Sequence, residues 1–116
     1  MKYILLIYGA EQVWSSMSKQ QMEEVYSGHR AYGEAMTKAG VMQGGSELKP
    51  VATATSVKFA SGKPRTFDGP FAETKEQLAG YYVIDVPNLE DALAWAEKMP
   101  GMVDGTVEVR PLASMD

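Results

Sequence analysis

The amino-acid sequence predicts a single α+β domain over residues 1–116, in which an antiparallel sheet carries two helices on one face. The elements follow one another as strand, helix, strand, hairpin, strand, helix, strand, which is the split βαβ arrangement with a β-hairpin inserted in its middle. The length of 116 residues and the hydrophobic fraction of 45% are typical of one ordinary globular domain.

The first half of the chain predicts a strand, a long helix and a second strand. Residues 2–8 are a run of large apolar and β-branched side chains, typical of a strand covered on both faces. After a polar loop that carries Trp14, Ser18 is the predicted N-cap of a long helix, and Gly40 has the position of a C-cap glycine. Residues 41–43 start the next strand before the bend or bulge expected at Gly44–Gly45. One face of the helix carries Met22, Val25, Tyr26, His29, Tyr32, Gly33 and Met36.

The second half predicts the hairpin, a further strand, a second helix and a last strand. Residues 53–59 alternate β-branched and aromatic side chains, and residues 65–67 form the returning strand of the hairpin. Strong β formers over residues 80–86 predict another strand. Asn88 is a typical N-cap of the second helix, and the alternation around residues 107–109 predicts the final strand. One apolar face of this helix is predicted to carry Leu89, Ala92, Leu93, Ala96 and Met99.

The strands at residues 3–8 and 81–86 carry large side chains on both faces, but two helices can cover only one face of the sheet. The second face would expose more apolar area than a monomer usually shows. We therefore expect a homodimer in which a second copy covers this face.

Charge and composition exclude several classes of protein. The net charge is −4 and the basic residues are scattered, so direct binding to nucleic acid is not expected. There is no cysteine and only one histidine, which argues against a disulfide, a thiolate nucleophile and a tight transition-metal site. No phosphate-binding loop or dinucleotide fingerprint occurs, and we expect no cofactor. The longest apolar run falls short of the roughly 18 residues of a membrane span, so we expect a cytoplasmic protein without membrane contact.

The run DGPFAETKEQLAGYYVIDV at residues 68–86 closely resembles the signature of the DGPF-domain proteins, small bacterial members of the YCII-related superfamily. Further matching segments are the glycines and Val41 within residues 40–45, and the ending VEVRP at residues 107–111. The resemblance covers nearly the whole chain. It implies a single YCII-related/DGPF domain over residues 1–116.

This resemblance also implies a ferredoxin-like dimeric α+β barrel, a largely undefined activity and a frequent genomic association with extracytoplasmic-function sigma factors. A histidine on the first helix and an acidic residue are proposed as a catalytic pair in the wider superfamily. His29, eleven residues before Gly40, is the matching histidine. The superfamily's aspartate falls near the end of the second strand, where this chain has Glu47, and Asp68 is the other candidate partner.

His29 and Asp68 are the predicted catalytic residues, each with a structural alternative. An imidazole changes charge near neutral pH, so His29 can act as a general base or acid, or it can be a core histidine satisfied by one hydrogen bond. A carboxylate at Asp68 can fix the tautomer of that ring. Alternatively, an Asp before Gly and Pro accepts backbone N–H groups in an Asx-turn.

Four further residues are predicted to contact a substrate: Phe71, Glu73, Lys75 and Tyr82. We expect Phe71 to anchor its loop by burial. Glu73 and Lys75 belong to a polar loop that either grips a ligand or is simply solvated. Tyr82 is expected to pack in the core, with a hydroxyl that can reach a pocket.

Two functional hypotheses follow from these residues. The first is a cofactor-free enzyme whose dimeric barrel encloses a cavity, where His29 and a carboxylate move a proton on a small cyclic or carbonyl-bearing substrate. The second is a non-catalytic ligand-binding or regulatory accessory protein linked to sigma-factor-type transcription regulation. A third alternative is a dimeric module without pocket chemistry.

Overall fold

A computed structural model describes residues 1–113 of the chain. The described part contains six strands, which are β1 (Lys2–Gly9), β2 (Met42–Glu47), β3 (Thr55–Ala60), β4 (Lys63–Asp68), β5 (Gln77–Asp85) and β6 (Thr106–Pro111). The α-helices of these residues are α1 (Glu11–Ser15), α2 (Lys19–Lys38) and α3 (Leu89–Glu97). A turn of 3₁₀ helix lies at Val51–Thr53. None of these helices is both long enough and apolar enough to span a membrane.

Four strands form the main sheet in the order β2-β5-β1-β6, and each neighbouring pair is antiparallel. Strands β1 and β2 therefore run parallel with β5 between them, and β5 and β6 run parallel with β1 between them. This is the ferredoxin-like split βαβ topology, and the predicted fold class is confirmed. Strands β3 and β4 pair only with each other and form the predicted inserted hairpin.

Local hydrogen bonds fix the ends of the two long helices where the sequence predicts them. The Ser18 hydroxyl accepts from the Gln21 N–H at 3.1 Å, and the Gln21 side chain accepts from the Ser18 N–H at 2.8 Å. This reciprocal capping box begins α2. The Asn88 side chain accepts from the Asp91 N–H at 2.9 Å and begins α3. Gly40, with φ of 76°, reverses the chain after α2.

The core lies between the helices and one face of the main sheet. Along β1 every second residue from Tyr3 to Gly9 is buried, which is the two-residue period of a strand. The buried apolar set is Tyr3, Leu5, Ile7, Tyr32, Met36, Ile84, Val86, Ala92 and Met99. The helices therefore bury the centre of one sheet face within one chain, while Met42, Tyr82, Val107 and Val109 pack against this core and are partly buried.

The opposite face of the sheet stays open. Ile4, Leu6 and Tyr8 of β1 point to this face beside Tyr81 and Val83 of β5, and all five are only partly buried. The apolar side chains on both faces of these strands confirm the sequence interpretation, while the homodimer stays a prediction.

Helix α1 is an addition to the predicted elements, because the sequence predicts a polar loop around Trp14. The helix has five residues and places the Trp14 ring directly against Gly9, where a Cβ atom would overlap the indole. A helix this short depends on tertiary packing, which leaves no periodic pattern in the sequence.

Helix α3 is rotated relative to its predicted apolar face. Leu89 and Leu93, expected to face the core, are 49% and 40% exposed, whereas Ala92 is fully buried. The rotation brings the Trp95 ring edge-on against Tyr32 of α2, with ring centroids 5.9 Å apart. The larger aromatic contact thus takes the inward position that the leucines were expected to fill.

The hairpin of residues 55–68, called the arm below, projects from the body. The radius of gyration of the Cα atoms is 16.1 Å, whereas a compact chain of this length has about 13 Å. The principal extents are 45 × 45 × 18 Å. Val57 and Phe59 on the arm are 55% and 68% exposed, so the arm does not pack on its own chain.

Replacement of Leu5 tests the assignment of the core. Leu5 is fully buried, so Leu5→Ala should lower the free energy of unfolding by about 2 to 5 kcal/mol through lost burial and a residual cavity. Leu93→Ala, at a position 40% exposed, is the matched control and should cost less than about 1 kcal/mol. Urea unfolding measures both variants, and equal losses would contradict the assignment.

Candidate functional site

Two predicted site residues meet between α2 and the main sheet. The Nδ1 atom of His29 lies 2.8 Å from the Tyr82 hydroxyl oxygen, which is a hydrogen bond. The two rings are nearly parallel, with an interplanar angle of 16° and centroids 6.0 Å apart. Both side chains are partly buried. The structure therefore brings His29 and Tyr82 together as a polar pair on the helix side of the sheet.

Strand register explains why Tyr82 reaches His29. Tyr82 pairs with Leu5 of β1 and with Gly45 of β2, so its side chain points to the same face as Leu5, towards the helices. A Cβ atom at position 45 would lie 2.8 Å from Cδ1 of Tyr82 and 2.7 Å from the Tyr81 carbonyl oxygen. Glycine at position 45 thus leaves the space that the phenol ring occupies.

The ring of Tyr32 packs against the phenol of Tyr82 and is itself held by Trp95. Tyr32 meets Tyr82 edge-on, with centroids 5.3 Å apart and an angle of 67°. The Tyr32 hydroxyl donates to the Trp95 carbonyl oxygen at 2.6 Å, which fixes Tyr32 in turn. Edge-on aromatic contacts of this kind are favourable beyond the area they bury. The ring of Tyr82 is therefore oriented before any ligand arrives.

A second polar pair lies at the exposed edge of the same region. The Tyr26 hydroxyl donates to Oε1 of Glu47 at 3.0 Å. Tyr26 precedes His29 by three residues on α2, and Glu47 is the last residue of β2. The negative charge of Glu47 acts on the His29 imidazole. Of the two candidate acidic partners, Glu47 is the one that this chain places near His29.

Burial sets the protonation states of the central pair. Burial lowers the pKa of His29, while the charge of Glu47 and a backbone hydrogen bond with Pro100 raise it in part. Burial raises the pKa of Tyr82. The hydrogen bond with Glu47, followed by burial and the Glu47 charge, raises the pKa of Tyr26. At neutral pH the imidazole and the phenols are therefore all uncharged.

The neutral ring can take two tautomers, and each offers a different chemistry. When the Tyr82 hydroxyl donates to Nδ1, the Nε2 atom of His29 carries the proton and is a hydrogen-bond donor. When Nδ1–H donates to the Tyr82 oxygen, Nε2 has a free lone pair and is a base. The pair can thus donate a hydrogen bond to a ligand or accept a proton from it.

Asp68 lies at the exposed end of β4 and takes neither of its predicted roles within one chain. No group of residues 1–113 donates a hydrogen bond to its carboxylate. The backbone N–H of Gly69, which follows it, donates to the Ala54 carbonyl oxygen at 2.7 Å instead. The structure therefore does not pair Asp68 with His29, and the Asx-turn is not formed.

The loop after Asp68 contradicts the predicted burial of Phe71, whose residue is 88% exposed. The loop is closed by its own polar groups, because the Thr74 hydroxyl and the Gln77 amide each donate to a backbone carbonyl at 2.6 Å. Phe71 is therefore not needed as an anchor. Glu73 and Lys75 are exposed in the same loop, and the structure does not bring them to His29.

Surface grooves lie away from the pair. One groove runs along α2 between Arg30 and Met42, and another lies between Gln21 and Val103. Neither is lined by His29, so neither is the cavity expected beside it. The pair borders instead on the exposed edge formed by Tyr26 and Glu47. Within residues 1–113 no three His, Asp or Glu side chains are close enough together to hold a metal ion.

Two residues of the site were not among the predicted site residues. Tyr26 and Tyr32 each lie three residues from His29, so the helical period alone places all three on one side of α2. Their partners, Glu47 and the Trp95 carbonyl, come from distant parts of the chain. Spacing could have identified the tyrosines, but no local signal identifies these partners.

Comparison with known proteins gives concordant results. The model of the YCII-related domain family matches residues 1–116. An uncharacterised protein of Rhizobium meliloti (strain 1021) is 38% identical over an alignment of 115 residues, which covers 97% of this chain and 93% of that protein. Both similarities extend over the main sheet and the helices that frame the His29–Tyr82 pair. The chain belongs to the YCII-related family.

Proposed function

We propose that this chain binds a small carbonyl- or hydroxyl-bearing molecule at the His29–Tyr82 pair and moves a proton on it without a cofactor. One observation carries the proposal, namely the 2.8 Å hydrogen bond between a partly buried imidazole and a partly buried phenol. Burial lowers the pKa of the first group and raises that of the second. A neutral imidazole next to a neutral phenol is the state a general base requires near pH 7.

The proposed step uses the tautomer in which Nδ1–H of His29 donates to Tyr82. The Nε2 lone pair accepts a proton from an acidic C–H or O–H group of the ligand, and the electron pair of the broken bond stays on the ligand. The imidazolium formed is stabilised by the Glu47 carboxylate, whose charge favours the protonated ring. Return of the proton to another atom of the ligand completes an isomerisation.

Glu47 is the acidic residue that this proposal assigns to His29. Its carboxylate is held by the Tyr26 hydroxyl at 3.0 Å. Glu47 is the last residue of β2, and the superfamily has its aspartate near the end of the same strand. Asp68, which forms no contact with His29 in one chain, is the alternative partner.

A second candidate function is ligand binding without turnover. It is favoured by the hydrogen bond that the imidazole already forms with Tyr82, because a Tyr82 hydroxyl that donates to Nδ1 leaves Nε2 as a hydrogen-bond donor and not as a base. The resemblance to DGPF-domain proteins supports a regulatory role of this kind, in which the bound molecule is a signal for a transcription regulator.

The pH dependence of His29 follows from its burial. We expect the pKa of the imidazole to lie below the ordinary value of about 6.5, because burial disfavours the charged ring. The unfolded chain then binds the proton more readily than the folded chain. The stability that depends on a neutral His29 ring is therefore fully present above about pH 6.5, and it is lost as the pH falls towards the pKa of His29 in the folded chain.

The C2 proton of the only histidine reports the folded pKa in an NMR titration. The decrease in unfolding free energy below about pH 6.5 should be smaller in His29→Gln. A folded pKa at or above 6.5 would show that burial does not control this ring.

Two charge-removing variants distinguish the candidate acidic partners. Glu47→Gln should lower the pKa of His29 further, because the charge of Glu47 raises it. Asp68→Asn removes the same charge from an exposed position and should leave the pKa unchanged within about 0.2 units. The NMR titration measures both. A shift caused by Asp68→Asn and not by Glu47→Gln would assign the acidic partner to Asp68.

Ligand binding is tested with a set of small carbonyl compounds, screened by thermal shift and by NMR of the His29 ring. His29→Gln and Tyr82→Phe should weaken binding about tenfold or more, a loss of about 1.4 kcal/mol. Tyr8→Phe, on the open face of the sheet, is the control and should bind like the wild type. Incubation of bound compounds in D₂O separates the two functions, since only an enzyme accelerates the exchange of a carbon-bound ligand proton for deuterium above the rate without protein.

The structural alternative for His29 predicts a loss of stability without a loss of ligand binding. If the ring is only a packed core group, His29→Gln should lower the unfolding free energy by about 1 to 3 kcal/mol. The ligand response per folded molecule would then equal that of the wild type. That result would contradict the proposed function.

A further inference from the structure

The arm, residues 55–68, has two chemically different faces. Antiparallel pairing places Val57 opposite Thr66 and Phe59 opposite Pro64, so the outer part of one face is largely apolar, while Thr55 and Asp68 lie on the same face at the base of the arm. Val57 and Phe59 are 55% and 68% exposed on this face. On the other face Lys58 is opposite Arg65 and Ala60 is opposite Lys63, while the partly buried Phe67 lies opposite Ser56 at the base of the arm. The arm is therefore an amphipathic ribbon with an uncovered apolar side.

A ribbon of this composition is not expected to be stable without a partner. A two-stranded hairpin is at best marginally stable in water, and it needs a third strand or a packing surface on its apolar face. Within residues 1–113 no such surface covers Val57 or Phe59. The missing packing surface must therefore come from another molecule.

The base of the arm is held firmly by the body of the same chain. The Val51 N–H, just before the arm, donates to Oε2 of Glu11 at 2.8 Å. The Glu11 N–H donates to Oε1 of Gln77 at 2.9 Å. The Ser56 hydroxyl donates to the Gly69 carbonyl oxygen at 2.7 Å and closes the base of the hairpin. These bonds fix the direction in which the arm projects.

The distribution of charge favours a second copy of this chain as the partner. The arm contains Lys58, Lys63, Arg65 and one carboxylate, Asp68, for a net charge of +2. The whole chain carries −4, so the remainder carries −6. An arm therefore attracts the body of a second copy, whereas two bodies repel each other.

A stable dimer also needs more contact area than the open face of the sheet provides. Four strands about 4.8 Å apart and about six residues long give a face of about 400 Å². A stable interface buries about 800 Å² on each partner. One face of the arm adds about 200 Å², and the surface that receives the partner's arm adds about the same. Exchange of arms thus brings the interface to the required size.

We propose that two copies of this chain exchange their arms, each laying the apolar face of Val57, Phe59 and Pro64 on the body of the other. The inference goes beyond the proposed function, and it does not depend on the chemistry of His29. It assigns to the inserted hairpin the role of a clasp. Because both arms are exchanged by symmetry, the assembly closes at two copies.

Neighbouring positions on β3 offer a matched test. Phe59→Asp places a charge on the apolar face, while Ala60→Asp places the same charge on the basic face one residue away. Both positions are exposed, so both variants should keep the far-UV circular dichroism of the wild type. Sedimentation velocity of the full chain between about 1 and 100 μM should show a wild-type dimer. Phe59→Asp should raise its dissociation constant about tenfold or more and Ala60→Asp about twofold or less.

Three outcomes overturn the proposal. A wild-type monomer at 100 μM would mean that the arm's partner is a different molecule. A Phe59→Asp dimer as tight as the wild type would mean that the arm does not contribute to the interface. Equal weakening by both variants would mean that charge on the arm, rather than its apolar face, controls association. The pKa of His29 is measured on the same samples, so failure of the clasp remains separable from failure of the proposed function.

Discussion

The antiparallel register between β1 and β5 determines which side chains reach the helices and which reach the open face. Tyr82 pairs with Leu5, and a slip by one residue would turn Tyr82 away from the helices and bring Tyr81 to His29. A bulge after the pair Ile7 and Gly80 accommodates one extra residue of β5 without moving this register. The polar pair, its aromatic support and the uncovered apolar face therefore all depend on one strand pairing.

The pair illustrates how burial prepares groups for proton transfer. The imidazole loses hydration and is less easily protonated, and the phenol loses hydration and is less easily ionised. Tyr32 packs edge-on against the phenol of Tyr82 and is itself held by Trp95. The charge of Glu47 partly offsets the effect of burial on the pKa of His29. Two uncharged groups in a fixed 2.8 Å contact result. Such a site can respond to a ligand by a shift of one proton, without a large rearrangement.

The order of elements and the helix ends could be predicted because their signals are local. Caps such as Ser18 and Asn88 act within one helical turn. The exposure of Phe71, the rotation of α3 and the projection of the arm depend on contacts between distant segments, and no sequence period encodes them. His29 and Tyr82 were each predicted as site residues, yet they are 53 residues apart and only strand register shows that they meet. The choice of Glu47 near His29 likewise depends on the position of β2 beside β5.

The central claim is that His29 is a neutral ring hydrogen-bonded to Tyr82 at neutral pH. A long-range ¹H–¹⁵N correlation spectrum of the imidazole at about pH 7.5 tests it directly, since protonated and unprotonated ring nitrogens have distinct shifts. Our interpretation predicts one protonated and one unprotonated nitrogen in a single dominant tautomer. Tyr82→Phe should abolish that preference. A doubly protonated ring, or two tautomers averaged equally in the wild type, would contradict the claim.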